Sequence, residues 1–323
     1  RDPKISRTET GYRAIVASKG AQGGQLLRFD SDDLHHWRYT GVFSEGLAEM
    51  SECPDCFPLD GRDVLIVCVM NAKEANLPDA QTVLYGLGSE RDGRFAAETE
   101  RRALDWGLDF YAPQTTLTRD GRRVLMGWAL SWRDVAPTHT LGHGWAGMMT
   151  VPRECRIRGD RLCQQPLREL ETLREHPSTL SLSELSGRVQ WPEAAGAHKE
   201  LRIAADISQA QRFAVHLMET GDERFAIVYE NGMLRVERAA CGYSLGENAD
   251  TCRKTAVDAP NGELRLHILV DVSIVEIFVG NGETVMTSLA FPREEGYGVS
   301  LEVEGKARVS AECWDVRAEI MRG

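Results

Sequence analysis

The stretch Met50-Ser51-Glu52-Cys53-Pro54-Asp55-Cys56-Phe57-Pro58-Leu59 places one carboxyl group, Glu52, among sulfur, proline and aromatic neighbours. A strongly apolar run, Val64 to Met70, follows closely and predicts a buried strand. A carboxyl at the end of a buried strand keeps its proton longer than a free one. That is the property that a general acid needs. A second carboxyl, Asp2, occurs at the first turn of the chain, and we expect both groups to face a common pocket.

Turn signals recur at short intervals along the whole chain. An Asx-Gly pair between apolar runs is the strongest local signal for a hairpin, because Asn, Asp and Gly tolerate positive φ. The runs between the pairs have the length of strands and do not alternate with long helices, so a parallel βαβ architecture is disfavoured. The pairs are Asp60-Gly61, Asp92-Gly93, Asp120-Gly121, Asn231-Gly232, Asn261-Gly262 and Asn281-Gly282.

The second half of the chain has a different pattern from the first. Apolar and polar residues alternate cleanly, for example from Leu264 to Val270, which is typical of an antiparallel sandwich. Before it, leucines recur every three residues between Cys163 and His176 and predict one short helix. We therefore expect an all-β protein with a β domain at 1–165, a linker with a short helix at 166–180, and a β-sandwich at 181–323. The sequence shows no strong internal repeat, which does not exclude propeller blades that resemble one another only in structure.

Composition and charge exclude several classes of function. The chain has 323 residues and a formal net charge of −11, with no long basic run, which argues against a nucleic-acid surface. No apolar stretch approaches the roughly 20 residues that a membrane-spanning helix needs. We see no secretory signal, and the eight cysteines form no dense framework, so we expect reduced thiols in a cytoplasmic protein. A small neutral molecule is the partner that these features favour.

Three short motifs suggest other chemistries, and each has a simpler explanation. Cys53 and Cys56 form a Cys-x-x-Cys pair, but zinc would require a second pair, so we interpret them as packing thiols and expect no metal or cofactor. Gly242 to Gly246 matches the nucleophile elbow Gly-x-Ser-x-Gly, which works only on a strand-to-helix turn, and here we expect a loop. His35-His36-Trp37 has adjacent histidines that would point opposite ways on a strand, so we expect a surface hairpin.

Aromatic residues and carboxyl groups are dense between Gly107 and Pro152. Aromatic ring faces stack on the C–H patches of sugars, while carboxylates and amides bind the hydroxyls. The alternative is that these aromatic residues fill the core between sheets. We prefer that alternative for Trp145, whereas for Trp128 both interpretations remain open.

Several motifs, in this order along the chain, resemble those of glycoside hydrolase family 32, which contains invertases, sucrose-6-phosphate hydrolases and fructan hydrolases. The resemblance covers the whole chain. In the second domain, the stretch from Val270 to Phe278 is similar to the family's sandwich motif. The motifs of the first domain are Arg1-Asp2-Pro3, Glu52-Cys53-Pro54, Asp109-Phe110-Tyr111-Ala112-Pro113-Gln114, Gly127-Trp128, and Gly144 to Gly147 leading to Pro152-Arg153-Glu154.

This resemblance implies a five-bladed β-propeller followed by a β-sandwich, and a retaining double displacement at a fructosyl carbon. Glu52 would be the general acid/base, and Asp2 would stabilise the transition state. Retaining chemistry places the nucleophile and the acid roughly 5–5.5 Å apart, on opposite sides of the bond that breaks. The residues that would bind the fructose are Arg1, Cys53, Asp109, Tyr111 and Trp128.

One expected motif is not found. The family's nucleophile is an aspartate in an Asn-Asp-Pro-Asn-Gly motif, and the sequence contains no such stretch. We therefore expect a partial propeller that lacks its N-terminal blades, and an apolar open face that binds a complementing N-terminal segment or a second copy. The alternative function is a non-catalytic carbohydrate-binding or structural remnant of such an enzyme. A serine hydrolase that uses Ser244 is a more distant alternative.

Overall fold

A computed structural model describes residues 1–73, 77–132, 134–247, 249–293 and 296–318. Over these residues the structure is nearly all β, and the helices are one α-helical turn, α1, and three 3₁₀ helices. The chain divides into two compact units, and each unit has its own core. Unit 1 comprises 1–105, 110–128 and 152–163, and unit 2 comprises 106–109, 129–151 and 164–323. The helices are α1 (Pro137–Thr140) and the 3₁₀ helices Arg168–Leu173, Pro192–Ala194 and Pro260–Gly262.

Unit 1 contains three antiparallel sheets, each formed by strands that are consecutive in the sequence. The first sheet has the order β1-β2-β3-β4, with β1 (Lys4–Thr8), β2 (Gly11–Gly20), β3 (Gly23–Ser31) and β4 (Arg38–Glu45). The second has the order β5-β6-β7-β8, with β5 (Met50–Leu59), β6 (Arg62–Met70), β7 (Thr82–Arg91) and β8 (Arg94–Ala97), and β9 (Arg102–Ala103) also pairs with β7. The third has the order β10-β11-β13-β14, with β10 (Tyr111–Leu117), β11 (Arg123–Ala129), β13 (Arg153–Arg158) and β14 (Arg161–Pro166). The short strand β12 (Met148–Met149) belongs to unit 2.

These sheets pack face to face as the blades of a β-propeller do. The apolar run in β6 shows why, because its side chains alternate between two clusters. Val64, Ile66 and Cys68 pack against residues of the third sheet, whereas Leu65 and Val67 pack against residues of the first. A strand buried on both faces needs a continuous apolar run, which is what the sequence contains.

Tight turns at Asx-Gly pairs join the strands, as the sequence predicts. At Asp60-Gly61, Asp92-Gly93 and Asn231-Gly232 both residues have positive φ, and each pair directly connects two antiparallel strands. Two consecutive residues with positive φ define the type I′ turn, whose twist matches the twist of the flanking strands. The prediction of hairpins at these three pairs is confirmed.

Unit 2 contains a β-sandwich that is built around three long strands. Over its first half, strand β16 (His198–Thr220) pairs with β20 (Glu263–Asp271), as in Leu201↔Ile268, and over its second half it pairs with β17 (Glu223–Glu230), as in Phe213↔Tyr229. Along both halves β16 also pairs with β23 (Gly298–Val316), which in turn pairs with β15 (Arg174–Gln190). The strands are β15 (Arg174–Gln190), β16 (His198–Thr220), β17 (Glu223–Glu230), β18 (Met233–Glu237), β19 (Cys252–Ala256), β20 (Glu263–Asp271), β21 (Ile274–Val279), β22 (Thr284–Leu289) and β23 (Gly298–Val316).

The long strands pass from one layer of the sandwich to the other at irregularities in their register. The pairing of β16 with β23 shifts between Asp206 and Gln209 and again between Ala210 and Arg212. Bulges of this kind bend a strand and increase its twist. One core cluster contains inward-facing residues of both halves of β16, such as Leu201 and Phe213, so the two layers close on each other.

A buried charge cluster supports the outer side of one layer. Glu200 is 2% exposed, and its carboxylate accepts hydrogen bonds from Arg174 Nε at 2.7 Å and from His267 Nε2 at 2.6 Å. Burial alone would raise the pKa of Glu200, but its bonds to Arg174 and His267 outweigh burial and lower the pKa to about 2. Glu200 therefore stays ionised at neutral pH and ties β16 to β15 and β20.

The region that we predicted as a linker is shorter and more regular than expected. The leucines at 167, 170 and 173 belong to a 3₁₀ helix, where the N–H of Leu170 donates to the carbonyl of Leu167 at 3.0 Å. A repeat of three residues is the period of a 3₁₀ helix and not of an α-helix. Strand β15 of the sandwich then begins at Arg174, inside the predicted linker range. No helix in the described part of the chain is long and apolar enough to span a membrane.

Candidate active site

Three of the predicted site residues lie at the start of the first strand of their blades. Asp2 lies two residues before the start of β1, Glu52 is the third residue of β5, and Tyr111 is the first residue of β10. The backbone N of Arg1 donates to the carbonyl of Ala17 at 2.7 Å, and the Ala17 N–H donates to the Arg1 carbonyl at 3.0 Å. The chain before β1 is therefore fixed on β2, and the blades bring the side chains together at one end.

Glu52 is nearly fully buried, and both of its carboxylate oxygens have a partner. Its side chain is 6% exposed, Oε2 accepts a hydrogen bond from the Tyr111 hydroxyl at 2.8 Å, and Oε1 is 2.6 Å from Arg1 Nη1. The register of β5 shifts after Glu52, and Cys53 has a φ of 45°. This bulge re-aims the strand next to Glu52, as bulges beside functional sites often do.

Asp2 lies near Glu52, and we refer to the region that Arg1, Asp2 and Glu52 border as the candidate pocket. Asp2 Oδ2 accepts a hydrogen bond from the Cys53 N–H at 3.1 Å and lies 3.7 Å from Cys53 Sγ. Arg1 Nε is 3.4 Å from the same oxygen, so one guanidinium contacts both carboxylates. The Arg1 side chain is 58% exposed, and it covers Glu52 on the solvent side. A ligand that enters would meet Arg1 and Asp2 first and Glu52 behind them.

Tyr111 is the internal support of Glu52. Burial, the neighbouring Cys68 and the hydrogen bond to Glu52 raise the pKa of the Tyr111 hydroxyl far above its usual value. The hydroxyl therefore stays protonated at neutral pH and donates to Glu52. Cys68 faces Glu52 across the ladder and is fully buried, which strongly raises the pKa of its thiol.

Trp128 lies beside this pocket on the neighbouring strand. It pairs with Tyr111 in the β10–β11 ladder, and its half-buried side chain packs on the cluster that contains Tyr111. The preceding residue must be glycine, because a Cβ at Gly127 would lie 2.4 Å from the ring of Phe110. Trp128 thus has both a buried and an accessible part, so it contributes to the core and can also line a pocket.

A carboxyl that sequence reasoning missed, Asp55, joins the three blades beneath the pocket. Asp55 is 1% exposed, and its Oδ2 accepts hydrogen bonds from Lys4 Nζ at 3.0 Å and from the N–H and hydroxyl of Thr115, both at 2.7 Å. Lys4 belongs to β1, Asp55 to β5 and Thr115 to β10. The available signal was a second carboxyl three residues after Glu52, which the extra residue of the bulge brings to the same face of the sheet as Glu52.

The family models match both parts of the chain. The model for the glycosyl hydrolases family 32 N-terminal domain matches residues 1–166, and the model for the family 32 C-terminal domain matches residues 169–315. The chain belongs to glycosyl hydrolase family 32. The predicted resemblance and the expected all-β fold of propeller blades followed by a sandwich are thereby confirmed.

Relatives and solved structures of family 32 agree with this assignment. A probable sucrose-6-phosphate hydrolase of Vibrio cholerae serotype O1 is 34% identical over 310 residues, which cover 93% of this chain and 54% of that protein. A raffinose invertase of Escherichia coli is 32% identical over 93% of this chain and 63% of its own length. The structure of sucrose-6-phosphate hydrolase from Lactobacillus gasseri superposes with a TM-score of 0.86 at 22% identity, covering 98% of this chain and 66% of that one. The chain thus spans between about half and two thirds of the length of these relatives.

Asp109 belongs to the family motif but does not reach the pocket. Its side chain is fully buried in unit 2, where Oδ2 accepts hydrogen bonds from Arg238 Nη1 at 2.5 Å and from the Leu289 N–H at 2.7 Å. The sugar contact that we expected of Asp109 is therefore wrong, because a carboxylate with no exposed surface cannot contact a ligand. The nearby position 107 requires glycine, since a Cβ there would lie 1.9 Å from the Thr287 carbonyl oxygen.

The other motifs weighed from the sequence have structural explanations. Ser244 bonds to the backbone of Gly246, in a loop, and His36 bonds to Asp33 on the surface between β3 and β4. Burial raises the pKa of the Cys56 thiol to about 12, so this thiol packs in the core as expected. Trp145 is 46% exposed, so its expected place in the core is wrong. Among the described residues no cluster of His, Cys, Asp and Glu could hold a metal ion.

Proposed function

We propose that this protein is a retaining glycoside hydrolase that releases fructose from β-fructofuranosides such as sucrose or sucrose 6-phosphate. The observation that carries the proposal is the contact of one guanidinium, that of Arg1, with both Asp2 and Glu52. Relatives named as sucrose-6-phosphate hydrolases and as a raffinose invertase support this class of substrate. Glu52 is the proposed general acid/base, and Asp2 is the proposed transition-state stabiliser.

The geometry suggests a distinct task for each oxygen of Glu52. Tyr111 holds Oε2 from inside, so Oε1 is the atom that donates a proton to the leaving oxygen and later accepts one from water. Arg1 must leave Oε1 for this to happen, and the hydroxyls of the fructose ring offer it new acceptors. Asp2, fixed by the Cys53 N–H, binds neighbouring hydroxyls, while Cys53 and Trp128 line the pocket.

A retaining mechanism also needs a carboxylate nucleophile on the opposite face of the sugar. We propose that a complementing segment, which the sequence here does not contain, supplies this aspartate. Two apolar side chains on blade strands are exposed and could pack against such a segment: Ile5 of β1 is 49% exposed and Leu117 of β10 is 59% exposed. Self-association through the same faces is the alternative. Sedimentation measured at several concentrations distinguishes a monomer from a protein that is bound to a complementing segment or to a second copy.

The test of the catalytic proposal is hydrolysis of sucrose and sucrose 6-phosphate by the protein expressed from its complete gene. Glu52→Gln keeps the hydrogen-bond acceptor for Tyr111 but cannot transfer a proton, so kcat is expected to fall by about 10²–10⁴-fold. Glu98→Gln, on the surface of the second blade, is the matched control. A Glu52→Gln enzyme with kcat within threefold of the unmodified enzyme would refute the assignment.

A non-catalytic carbohydrate-binding protein is the second candidate. It predicts that fructose or sucrose binds in calorimetry while no reducing sugar is released. The cytoplasm remains the predicted compartment, and all eight cysteines are free thiols in the structure.

A further inference from the structure

The chain passes through unit 2 immediately before it reaches Tyr111. Residues 106–109 belong to unit 2, and the chain returns to unit 1 at the next residue. The Asp109 N–H donates to the carbonyl of Thr287, in β22, at 3.0 Å. Leu108 is 4% exposed and belongs to the core cluster of the sandwich. The position of Asp109 is therefore set by the sandwich.

Arg238 fixes the end of this segment. Its Nη1 donates to Asp109 Oδ2 at 2.5 Å and to the Leu289 carbonyl at 3.1 Å, while the Leu289 N–H donates to the same Asp109 oxygen at 2.7 Å. Its Nε donates to the Asp250 carbonyl at 2.9 Å, and its Nη2 donates to Asp134 Oδ2 at 3.3 Å. The side chains of Arg238 and Asp109 are 4% and 0% exposed. A rigid guanidinium with this many partners holds Asp109 in one place.

Tyr111 is separated by a bulge from the regular part of its own strand. The β10–β11 ladder pairs Tyr111 with Trp128, but the register shifts directly afterwards, and pairing resumes at Gln114. Ala112 lies in this bulge with a φ of 48°. A bulge interrupts the hydrogen bonds of the ladder, so the rest of β10 restrains Tyr111 only weakly. Asp109, in contrast, is two residues away, or about 7 Å of extended chain.

Phe110 supplies a second fixed point next to the buried ion pair. The guanidinium of Arg153 lies over its ring, 5.0 Å from the centroid, and a Cβ at Gly127 would lie 2.4 Å from the same ring. An anchored ring fixes one position, but the backbone can still rotate about it. A second anchor one residue earlier also fixes the direction in which the chain enters Tyr111. That direction decides whether the Tyr111 hydroxyl reaches Glu52 Oε2, to which it donates at 2.8 Å.

We propose that Arg238 is a positioning residue for Glu52. Its ion pair with Asp109 directs the chain into Tyr111, and the Tyr111 hydroxyl then orients the Glu52 carboxylate. The inference rests on the proposed function, in which Glu52 is the general acid/base. It gives the sandwich a part in the proposed reaction, because Arg238 belongs to unit 2. Loss of Arg238 should therefore have the same effect on turnover as loss of the Tyr111 hydroxyl.

The test is a double-mutant cycle in the hydrolysis of sucrose or sucrose 6-phosphate, with the protein expressed from its complete gene. Arg238→Met and Tyr111→Phe should each lower kcat about tenfold and change KM by less than about twofold. The combined variant should lose little more than either single variant, because both changes act through one hydrogen bond. Independent roles would multiply to a loss of about 100-fold. That result, or an unchanged kcat in Arg238→Met, would overturn the inference.

Arg174→Met is the matched control. Arg174 is also a mostly buried arginine of unit 2, and its Nε donates to a buried carboxylate, that of Glu200, at 2.7 Å. Breaking this pair should lower Tm about as much as Arg238→Met does, yet kcat below Tm should stay within about twofold of the unmodified enzyme. Equal losses of kcat in both arginine variants would mean that Arg238 has only a structural role. If Arg238→Met fails to fold, Asp109→Asn weakens the same ion pair from its other side and takes its place in the cycle.

Hydrogen exchange at the amides of residues 110–112 tests the inference without turnover. Exchange there should be faster in Arg238→Met than in the unmodified protein, and Arg174→Met should leave it unchanged. An increase confined to residues 106–109 would overturn the inference, because the effect would then stop before Tyr111. If neither sugar is hydrolysed, the proposed function fails, and the exchange measurement alone decides whether Arg238 positions Tyr111.

Discussion

Replacing Asp55 with alanine tests whether one buried carboxylate holds the three blades together. The substitution removes the acceptor shared by Lys4 and by the N–H and hydroxyl of Thr115. Breaking a buried ion pair by removing one partner costs about 3–5 kcal/mol. Lys4 keeps two other partners, the Gln114 amide oxygen at 3.0 Å and the Thr115 carbonyl at 2.9 Å. We therefore expect the lower end of that range, about 3 kcal/mol in the free energy of unfolding.

The assay is urea and thermal unfolding of the unmodified protein and of three variants. Asp55→Ala should lower Tm by about 6–12 °C, taking 2–4 °C per kcal/mol for a chain of this size. Asp55→Asn keeps one acceptor oxygen and should lose about half as much. Asp160→Ala is the control, because Asp160 pairs with Arg102 while its side chain is 60% exposed, and no measurable change is expected. If Asp55→Ala is as harmless as Asp160→Ala, the carboxylate does not join the blades.

Three further predictions concern other parts of the molecule. Tyr111→Phe removes the internal hydrogen bond to Glu52, so it should lower kcat of the proposed hydrolysis about tenfold and leave KM little changed. A kcat within twofold of that of the unmodified enzyme would contradict the positioning role of Tyr111. The pKa of Glu200 is lower in the folded protein than in the unfolded chain, so the ionised carboxylate stabilises the fold. This stabilisation is fully present above pH ~4.5 and is lost as the pH falls towards 2. It amounts to about 2 kcal/mol after a discount for solvent screening. Unfolding of Glu200→Gln and the unmodified protein should therefore differ at pH 7 and converge near pH 2, and a constant difference would contradict this. Gly107→Ala should cost about 3 kcal/mol or more through backbone contact, whereas Gly86→Ala, where a Cβ meets nothing closer than 3.7 Å, should cost far less, as measured by chemical denaturation.

Much of the fold could be predicted because local chemistry determines it. The Asx-Gly pairs require positive φ, and at Asp60, Asp92 and Asn231 the structure places tight hairpins. The apolar run from Val64 marks a strand that is buried on both faces. The order of the motifs along the chain carried the resemblance to the family, and the motifs that contain Asp2, Glu52 and Tyr111 lie at or just before the first strand of a blade.

The parts that could not be predicted depend on contacts between residues far apart in the sequence. Asp109 and Tyr111 are two residues apart in one motif, but Asp109 is bound by Arg238 in unit 2, 129 positions away, while Tyr111 contacts Glu52. No local pattern distinguishes these two environments. The bulge after Glu52 likewise decides which side Asp55 faces, and a two-residue periodicity does not reveal a bulge.

The position of β23 has a consequence for how the sandwich is made. Among the described strands it comes after all the others in the sequence, yet it lies between β15 and β16 over the length of both layers. Until residues 298–316 leave the ribosome, β15 and β16 have no strand between them, and the edges that will pair with β23 stay without hydrogen-bond partners. Newly made chains would therefore hold two unpaired strand edges until β23 is available, which makes slow folding and chaperone binding the expected behaviour of unit 2.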